Sequence, residues 1–243
     1  MNVSLYQAAA AMNASARWQE TISQNLAAAS VPGFKKQEIS FAAIQSGLLA
    51  GKALVLPGVS TGTNFVQGEL RTTGVPTDLA IEGRGFFEIQ LPDGSTGYTR
   101  DGEFHLDAQG QLVTKQGHPV LANGGTVQLD PRNPAPLTVS AAGEISQGAD
   151  SKGRLTVTDF NDLKLLQPVG NGCFIARDPK LQPVAVTDVR VHQGYLEAAN
   201  TTPVAEMSQL ITAMRQFEAN QRVLQIQDER LGRVITELGN PGT

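Results

Sequence analysis

A single cysteine, Cys173, serves the whole 243-residue chain, so neither an internal disulfide nor a cysteine metal cluster is open to it. The thiol sits in the β-favouring run Gly172-Cys173-Phe174-Ile175 and reads as a small packing group. Aromatic residues are scarce at 5%, and charged ones are low at 17%. Lys and Arg number 19 against 23 acidic residues, a formal charge of -4, without the basic surplus that a phosphate backbone demands, which argues against a nucleic-acid partner. No stretch approaches the ~20 consecutive apolar residues of a membrane span, so no direct membrane insertion is expected. Met1-Asn2-Val3-Ser4 opens without the basic region and long apolar run of a cleaved secretory leader.

Chemistry-bearing patterns are also missing. His105, His118 and His192 are far apart and lack neighbouring ligands at metal spacing. Gly83-Arg84-Gly85 resembles the start of a phosphate loop, but the strand-like Phe86 and Phe87 follow it, so no helix N-terminus meets an anion. The clustered Asp93-Gly94, Asp101-Gly102, and Asp107 with Gly110 lack the alternating oxygens and terminal Glu of a calcium loop, and turn chemistry accounts for them. No serine occupies a nucleophile elbow. No catalytic, cofactor-binding or metal-binding residue is expected, and the chain reads as something other than an enzyme.

What is present begins with two helices. From Ser4 to about Ala29 there is no Gly or Pro, and Leu5, Met12, Ile22 and Leu26 share one face with Ala9 and Ala16. Val31-Pro32-Gly33 ends that helix, since proline forbids continuation and glycine permits a positive φ. At the other end Thr202 can cap, Pro203 suits the first turn, and no Gly or Pro intervenes until Gly232. Leu210, Phe217, Leu224, Leu231 and Leu238 recur every seven residues, with Met207, Met214 and Ile235 as a second seam, a coiled-coil pattern interrupted by Gln221 and Asp228. So long a one-stripe helix needs other helices to cover it.

The middle changes period. Phe86 to Leu91 alternates, Pro92-Asp93-Gly94 turns, and Thr96 to Arg100 returns, predicting a hairpin. Glu103 to Leu106, the turn Asp107 to Gly110, and Gln111 to Thr114 predict another. Short β-favouring runs follow at Leu137-Thr138-Val139, Glu144-Ile145, Leu155 to Thr158, Phe174-Ile175 and Val184 to Val186. The expected fold is therefore α+β: a discontinuous, coiled-coil-like helical domain over residues 1–40 and 197–243, an extended connector over 41–63, and an inserted all-β domain over 64–196.

Three stretches carry a family resemblance. Gln24-Asn25-Leu26-Ala27 with Pro32-Gly33-Phe34-Lys35 is similar to the Asn-Asn-Leu-Ala-Asn…Thr-Gly-Phe-Lys signature of flagellar rod and hook proteins. Gln67-Gly68-Glu69-Leu70, then Asp78 to Phe87, Tyr98-Thr99-Arg100-Asp101-Gly102 and Leu112-Val113-Thr114, resemble the family's core motif. Gly194 to Asn200 and Gln216-Phe217-Glu218-Ala219-Asn220 are similar to its entry into the last helix and a run inside it. Ala28, Val31-Pro32, Ala199 and Thr201 depart from the usual residues.

The resemblance implies an axial structural subunit of the bacterial flagellar basal-body rod, slightly closer to the proximal than to the distal type. In such a subunit both termini form an inner helical domain that folds fully on assembly, with the β domain outside it around an export channel. It further implies export by the flagellar type III apparatus, residence in the periplasm-spanning rod, and partners that are copies of this chain and other rod or hook axial proteins, with no cofactor. The expected assembly interface is Leu5, Met12, Ile22, Leu26, Met207, Leu210, Met214, Phe217, Leu224, Leu231, Ile235 and Leu238. The competing reading is a secreted β-domain binding module dimerised by its helices, which requires a concave aromatic site.

Overall fold

The computed structural model describes residues 3–49, 52–123, 125–130, 132–186 and 190–239. Two helices flank a β-rich middle, which makes the chain α+β. It divides into two compact units, one of Met1–Ala27, Gln37–Asn64 and Thr202–Thr243, the other of Ala28–Lys36 and Phe65–Thr201.

The first unit holds helix α1 (Val3–Ala28), strands β1 (Gln37–Leu49) and β2 (Lys52–Thr63), and helix α2 (Pro203–Gly239). β1 and β2 pair antiparallel from Gln37 opposite Thr63 to Leu49 opposite Lys52, with a register shift between Gln45 and Leu48. Most of the stretch expected as an extended connector thus belongs to a regular hairpin. Its Gly-, Ser- and Ala-containing sequence carries little intrinsic β preference, and cross-strand pairing supplies what propensity does not. The Trp18 ring of α1 meets Phe41 of β1 edge-on, with centroids 5.8 Å apart.

α1 and α2 run antiparallel within this unit. Asn25 Nδ2 donates to Glu206 Oε2 at 3.4 Å, Gln19 Nε2 to the Ala213 carbonyl at 3.3 Å, and Asn220 Nδ2 to Ser15 Oγ at 3.3 Å. Residue numbers fall along α1 as they rise along α2. At 1.5 Å per residue, α2 is about 55 Å long and α1 about 39 Å.

The second unit is built on a six-stranded antiparallel sheet in the order Gln167–Gly170, Cys173–Ile175, Thr96–Thr99, Phe86–Gln90, Val157–Phe160 and Pro183–Ala185. Smaller antiparallel pairs surround it, including Phe104–Leu106 with Leu112–Thr114, and Tyr195–Glu197 with Leu70–Thr72. The adjacent Phe86 and Phe87 point to opposite faces, as strand period dictates. Phe87 and Ile89 enter a core with Leu79, Ile81, Val120, Val127 and Ile145, while Phe86 joins Phe160, Phe174 and Leu166 in a second one. Each such fully buried side chain contributes roughly 1.5–3 kcal/mol. The hairpins expected around Pro92-Asp93-Gly94 and Asp107 to Gly110 are present, and Gly94 and Gly110 adopt positive φ of 81° and 79°.

Candidate functional site

Three segments far apart in sequence converge on the Glu197 carboxylate in the second unit. Lys35 Nζ donates to Oε1, the Gly68 N–H donates to the same oxygen at 2.8 Å, and Arg100 Nη1 donates to Oε2 at 3.2 Å. The Glu197 and Lys35 side chains are each 1% exposed and that of Arg100 is 6% exposed. Two cations face one anion, and backbone carbonyls take further protons: Val66 accepts from Lys35 at 2.9 Å, Ile81 and Gly83 from Arg100, while the buried Arg100 Nε has no hydrogen-bond partner among the described residues. Burial pulls the Lys35 amine below its usual value, opposed by the charge and hydrogen bond of Glu197, and the Arg100 guanidinium is lowered for the same first cause. Arg100 also lies over the Phe86 ring, 5.4 Å from its centroid.

Backbone bonds close the same junction. Gly33 N–H donates to the Glu197 carbonyl at 2.7 Å, Lys36 N–H to Asn200 Oδ1 at 2.7 Å, and Asn200 Nδ2 to the Val66 carbonyl at 3.0 Å. Only glycine fits at two of these points. A Cβ on Gly33, whose φ is +67°, would stand 2.2 Å from the Arg100 carbonyl carbon, and one on Gly68 would stand 1.9 Å from the Ala198 carbonyl oxygen. The Lys35, Arg100 and Glu197 side chains are buried, and a cleft of about 200 Å³ beside Arg100 is lined by Gly83, Arg84, Phe86 and Asp159 among others. The chemistry of the junction is that of a lock between distant chain segments.

A smaller polar junction ties the first unit together. Asn25, 3% exposed, donates through Nδ2 to the Gln37 carbonyl at 2.8 Å and accepts at Oδ1 from the Gln37 N–H at 2.9 Å. Together with its bond to Glu206, this carboxamide links α1, the hairpin and α2. The sequence motifs include Lys35, Asn25, Arg100 and Glu197, but charge pairing across 162 positions leaves no local signal.

The expected interface residues occupy mixed environments. Ile22 is buried, Met12 and Leu26 are half-buried, and Leu210, Phe217 and Leu224 are half-buried along α2. Met207 and Met214 are about half exposed, at 52% and 50%, and Leu231 is 38% exposed. The side chains of Leu5, Ile235 and Leu238 lie outside the described residues. Ala9 and Ala16, which share the expected face of α1 with Met12 and Ile22, are exposed, and the face towards α2 is set one position earlier. Ala8, Ser15 and Ile22 form that face with Asn25. The second inward row of α2 is likewise Glu206, Ala213, Asn220 and Gln227, one position before Met207 and Met214. The contact between α1 and α2 is made largely by small and hydrogen-bonding side chains.

One cleft in the β unit, of about 360 Å³, is lined by Ile89, Asp101, Thr114, His118, Val169 and Cys173 among others, with no Phe, Tyr or Trp. Burial there raises the Asp101 carboxyl to about 6, helped by the charges of Glu103 and Asp78 and opposed by the Glu103 N–H and Lys115. The Cys173 thiol is raised, chiefly by burial. His192 pairs at 2.8 Å with Glu82 on the surface, and its hydrogen bond is the main cause lowering the Glu82 carboxyl. No helix among the described residues is long and apolar enough to cross a membrane.

The family model for the flagellar hook protein FlgE/F/G D1 domain matches residues 80–147, and that for the flagellar basal body rod FlgEFG protein C-terminal region matches residues 192–237. The chain is 36% identical over 226 residues to the flagellar basal-body rod protein FlgF of Caulobacter vibrioides, covering 90% of this chain and 91% of that one. It is 33% identical over 248 residues to FlgF of Escherichia coli, covering 96% and 97%. To the rod protein FlgG of Borreliella burgdorferi it is 32% identical over 255 residues, covering 94% and 96%. The residues that meet at Glu197 lie within this shared length, and the chain belongs to the family of flagellar basal-body rod proteins.

Proposed function

We propose that this chain is a structural axial subunit of the bacterial flagellar basal-body rod, polymerising through its terminal helices into a shaft that transmits torque and surrounds the export channel. The observation that carries this reading is the uncovered apolar surface of α2. Leu210, Phe217 and Leu224 are only half-buried against the rest of the chain, while Met207, Ile211, Met214 and Ile226 are half exposed or more. A helix of about 55 Å with so little of its surface covered needs neighbouring helices. Equivalent helices of adjacent subunits supply that cover, packing in coiled-coil fashion on the residues Leu5, Met12, Leu26, Met207, Leu210, Met214, Phe217, Leu224, Leu231, Ile235 and Leu238, while Ile22, also expected there, is covered within the chain. In this reading the first unit, with residues 1–27, 37–64 and 202–243, acts as the assembly domain, in place of the expected 1–40 and 197–243, and most of the β-rich middle is inserted within it.

Family membership supports export by the flagellar type III apparatus and residence in the periplasm-spanning rod, beside other rod and hook axial proteins. The slightly higher identity to the FlgF relatives than to the FlgG relative favours the proximal rod. The test is electron microscopy of basal bodies from a strain lacking the gene, with rod length and hook scored against the parent. A truncated rod supports the structural role, and the point of truncation separates proximal from distal. Complete basal bodies overturn it. Leu224→Asp is expected to abolish incorporation while leaving the β unit folded, and normal assembly of that variant sinks the proposed seam.

A further inference from the structure

Two buried side-chain atoms among the described residues have no hydrogen-bond partner, Arg100 Nε and Asp159 Oδ1. The two residues are 5% and 9% exposed. Both line the same cleft of about 200 Å³ in the β unit, with Phe65, Phe86 and Leu163 as its apolar wall. The Asp159 charge is felt at Arg100, where it favours the charged guanidinium. An unmet buried group carries the full loss of its hydration, so one unmet donor and one unmet acceptor at the same space mark a place for something that answers both.

The other polar groups of the cleft are engaged. Arg84 Nε reaches Asp159 Oδ2 at 3.0 Å, and Gln67 donates to the Ile81 carbonyl at 2.7 Å while accepting from the Gly83 N–H at 3.0 Å. What is left is one N–H on a cation and one oxygen on an anion, and those two set the charge of a ligand. An anion would take the Arg100 proton but face Asp159. A cation would satisfy Asp159 but face the Arg84 and Arg100 guanidinium groups. A neutral group with one acceptor and one donor meets both. A lone water has them, but it needs only about 10–15 Å³ and leaves the apolar wall uncovered. In a primary carboxamide the oxygen lies beside an N–H, so both reach into one small cleft, whereas the N–H of a trans peptide points away from its own C=O.

We infer that this cleft binds a neutral primary carboxamide on a short apolar stem, the chemistry of a glutamine or asparagine side chain. The carboxamide oxygen accepts from Arg100 Nε, its N–H donates to Asp159 Oδ1, and the stem lies against Phe65 and Leu163. The site is contained within the second unit and goes beyond the axial role, since neither terminal helix contributes to it.

Probes of one size and different charge test it. Propionamide, titrated in the millimolar range into the isotope-labelled full-length chain, is expected to give saturable NMR shifts at the Arg100 Nε–H and the Gly83, Arg84 and Gly85 amides. Propionate and propylammonium should give none there, and N-methylacetamide, which presents a trans peptide group, a weaker response. Asp159→Ala and Leu163→Trp, the second filling the cleft, are each expected to abolish the propionamide response, with unchanged amide shifts around Phe87 reporting that the sheet is folded. No saturable response in the parent chain would mean that water alone meets the two groups, and overturns the inference. An equal response to either charged probe overturns the neutral ligand, and an equal or stronger one to N-methylacetamide makes this a peptide-backbone site instead. A response that survives in folded Leu163→Trp places the binding elsewhere and overturns the site. Each of these outcomes leaves the axial role standing.

Discussion

Lys35 and Glu197, 162 positions apart, share an ion pair in which both side chains are 1% exposed. Removing the anion leaves two cations stranded in a dry junction, which is far costlier than the pair's net worth. Glu197→Gln is expected to destabilise the β unit by about 3–5 kcal/mol, read as a lowered urea midpoint for the full chain. Adding Lys35→Met removes one stranded charge, so the double variant should recover part of that loss. An unchanged midpoint in Glu197→Gln would show that the junction does not hold the unit together.

Gly33 and Gly74 separate backbone strain from steric exclusion. Both hold positive φ, +67° and +72°, but a Cβ on Gly33 would collide with the Arg100 and Asp101 backbone, while one on Gly74 meets nothing within 4 Å. Gly74→Ala should therefore cost about 1–2 kcal/mol from the left-handed conformation alone. Gly33→Ala should cost clearly more, by the same denaturation measurement, and equal losses would mean that the close approach relaxes freely.

The parts of this fold written in local pattern were legible, and the parts that depend on partners were not. Alternation in Phe86 to Leu91 and the glycine of Pro92-Asp93-Gly94 fix a hairpin without outside help, as the break at Pro32-Gly33 fixes the end of α1. β1 and β2 lack that clarity because each is held by the other and by contacts such as Trp18 on Phe41. The rows by which α1 and α2 meet are hard to read for a related reason. Ser15, Asn25, Ala213 and Asn220 are weak signals in a hydrophobic pattern, yet they make the contact. The junction at Glu197 was visible only as separate motifs, since an ion pair between distant residues has no period.

Asn25→Ala should act locally. It strips the Gln37 N–H and C=O of their partner and releases Glu206 from α1, a loss of about 1–3 kcal/mol where the groups are left unsatisfied. Amide exchange is expected to quicken at Gln37 and along α1, with protection in the sheet around Phe87 unchanged. Uniform loss of protection across both units would show that Asn25 supports more than the first unit.

Asp101 sets a pH dependence of opposite sign to that of the usual paired carboxylate. Its folded value of about 6 stands above the ordinary 3.8 because burial disfavours the charged form. Between those values the folded chain binds more protons than the unfolded one, so this contribution to stability is complete below about pH 3.8 and is lost as pH rises through 6. Asp101→Asn keeps an acceptor for the Glu103 N–H, which bonds Oδ1 at 2.9 Å, and removes the titration. The variant should exceed the parent in stability at pH 8 by on the order of 2 kcal/mol, with the gap closing towards pH 4. Thermal unfolding of both chains across that range measures the difference directly, cancelling the titration of every other group. A gap that widens on acidification would mean that the ionised carboxylate is the form the fold prefers.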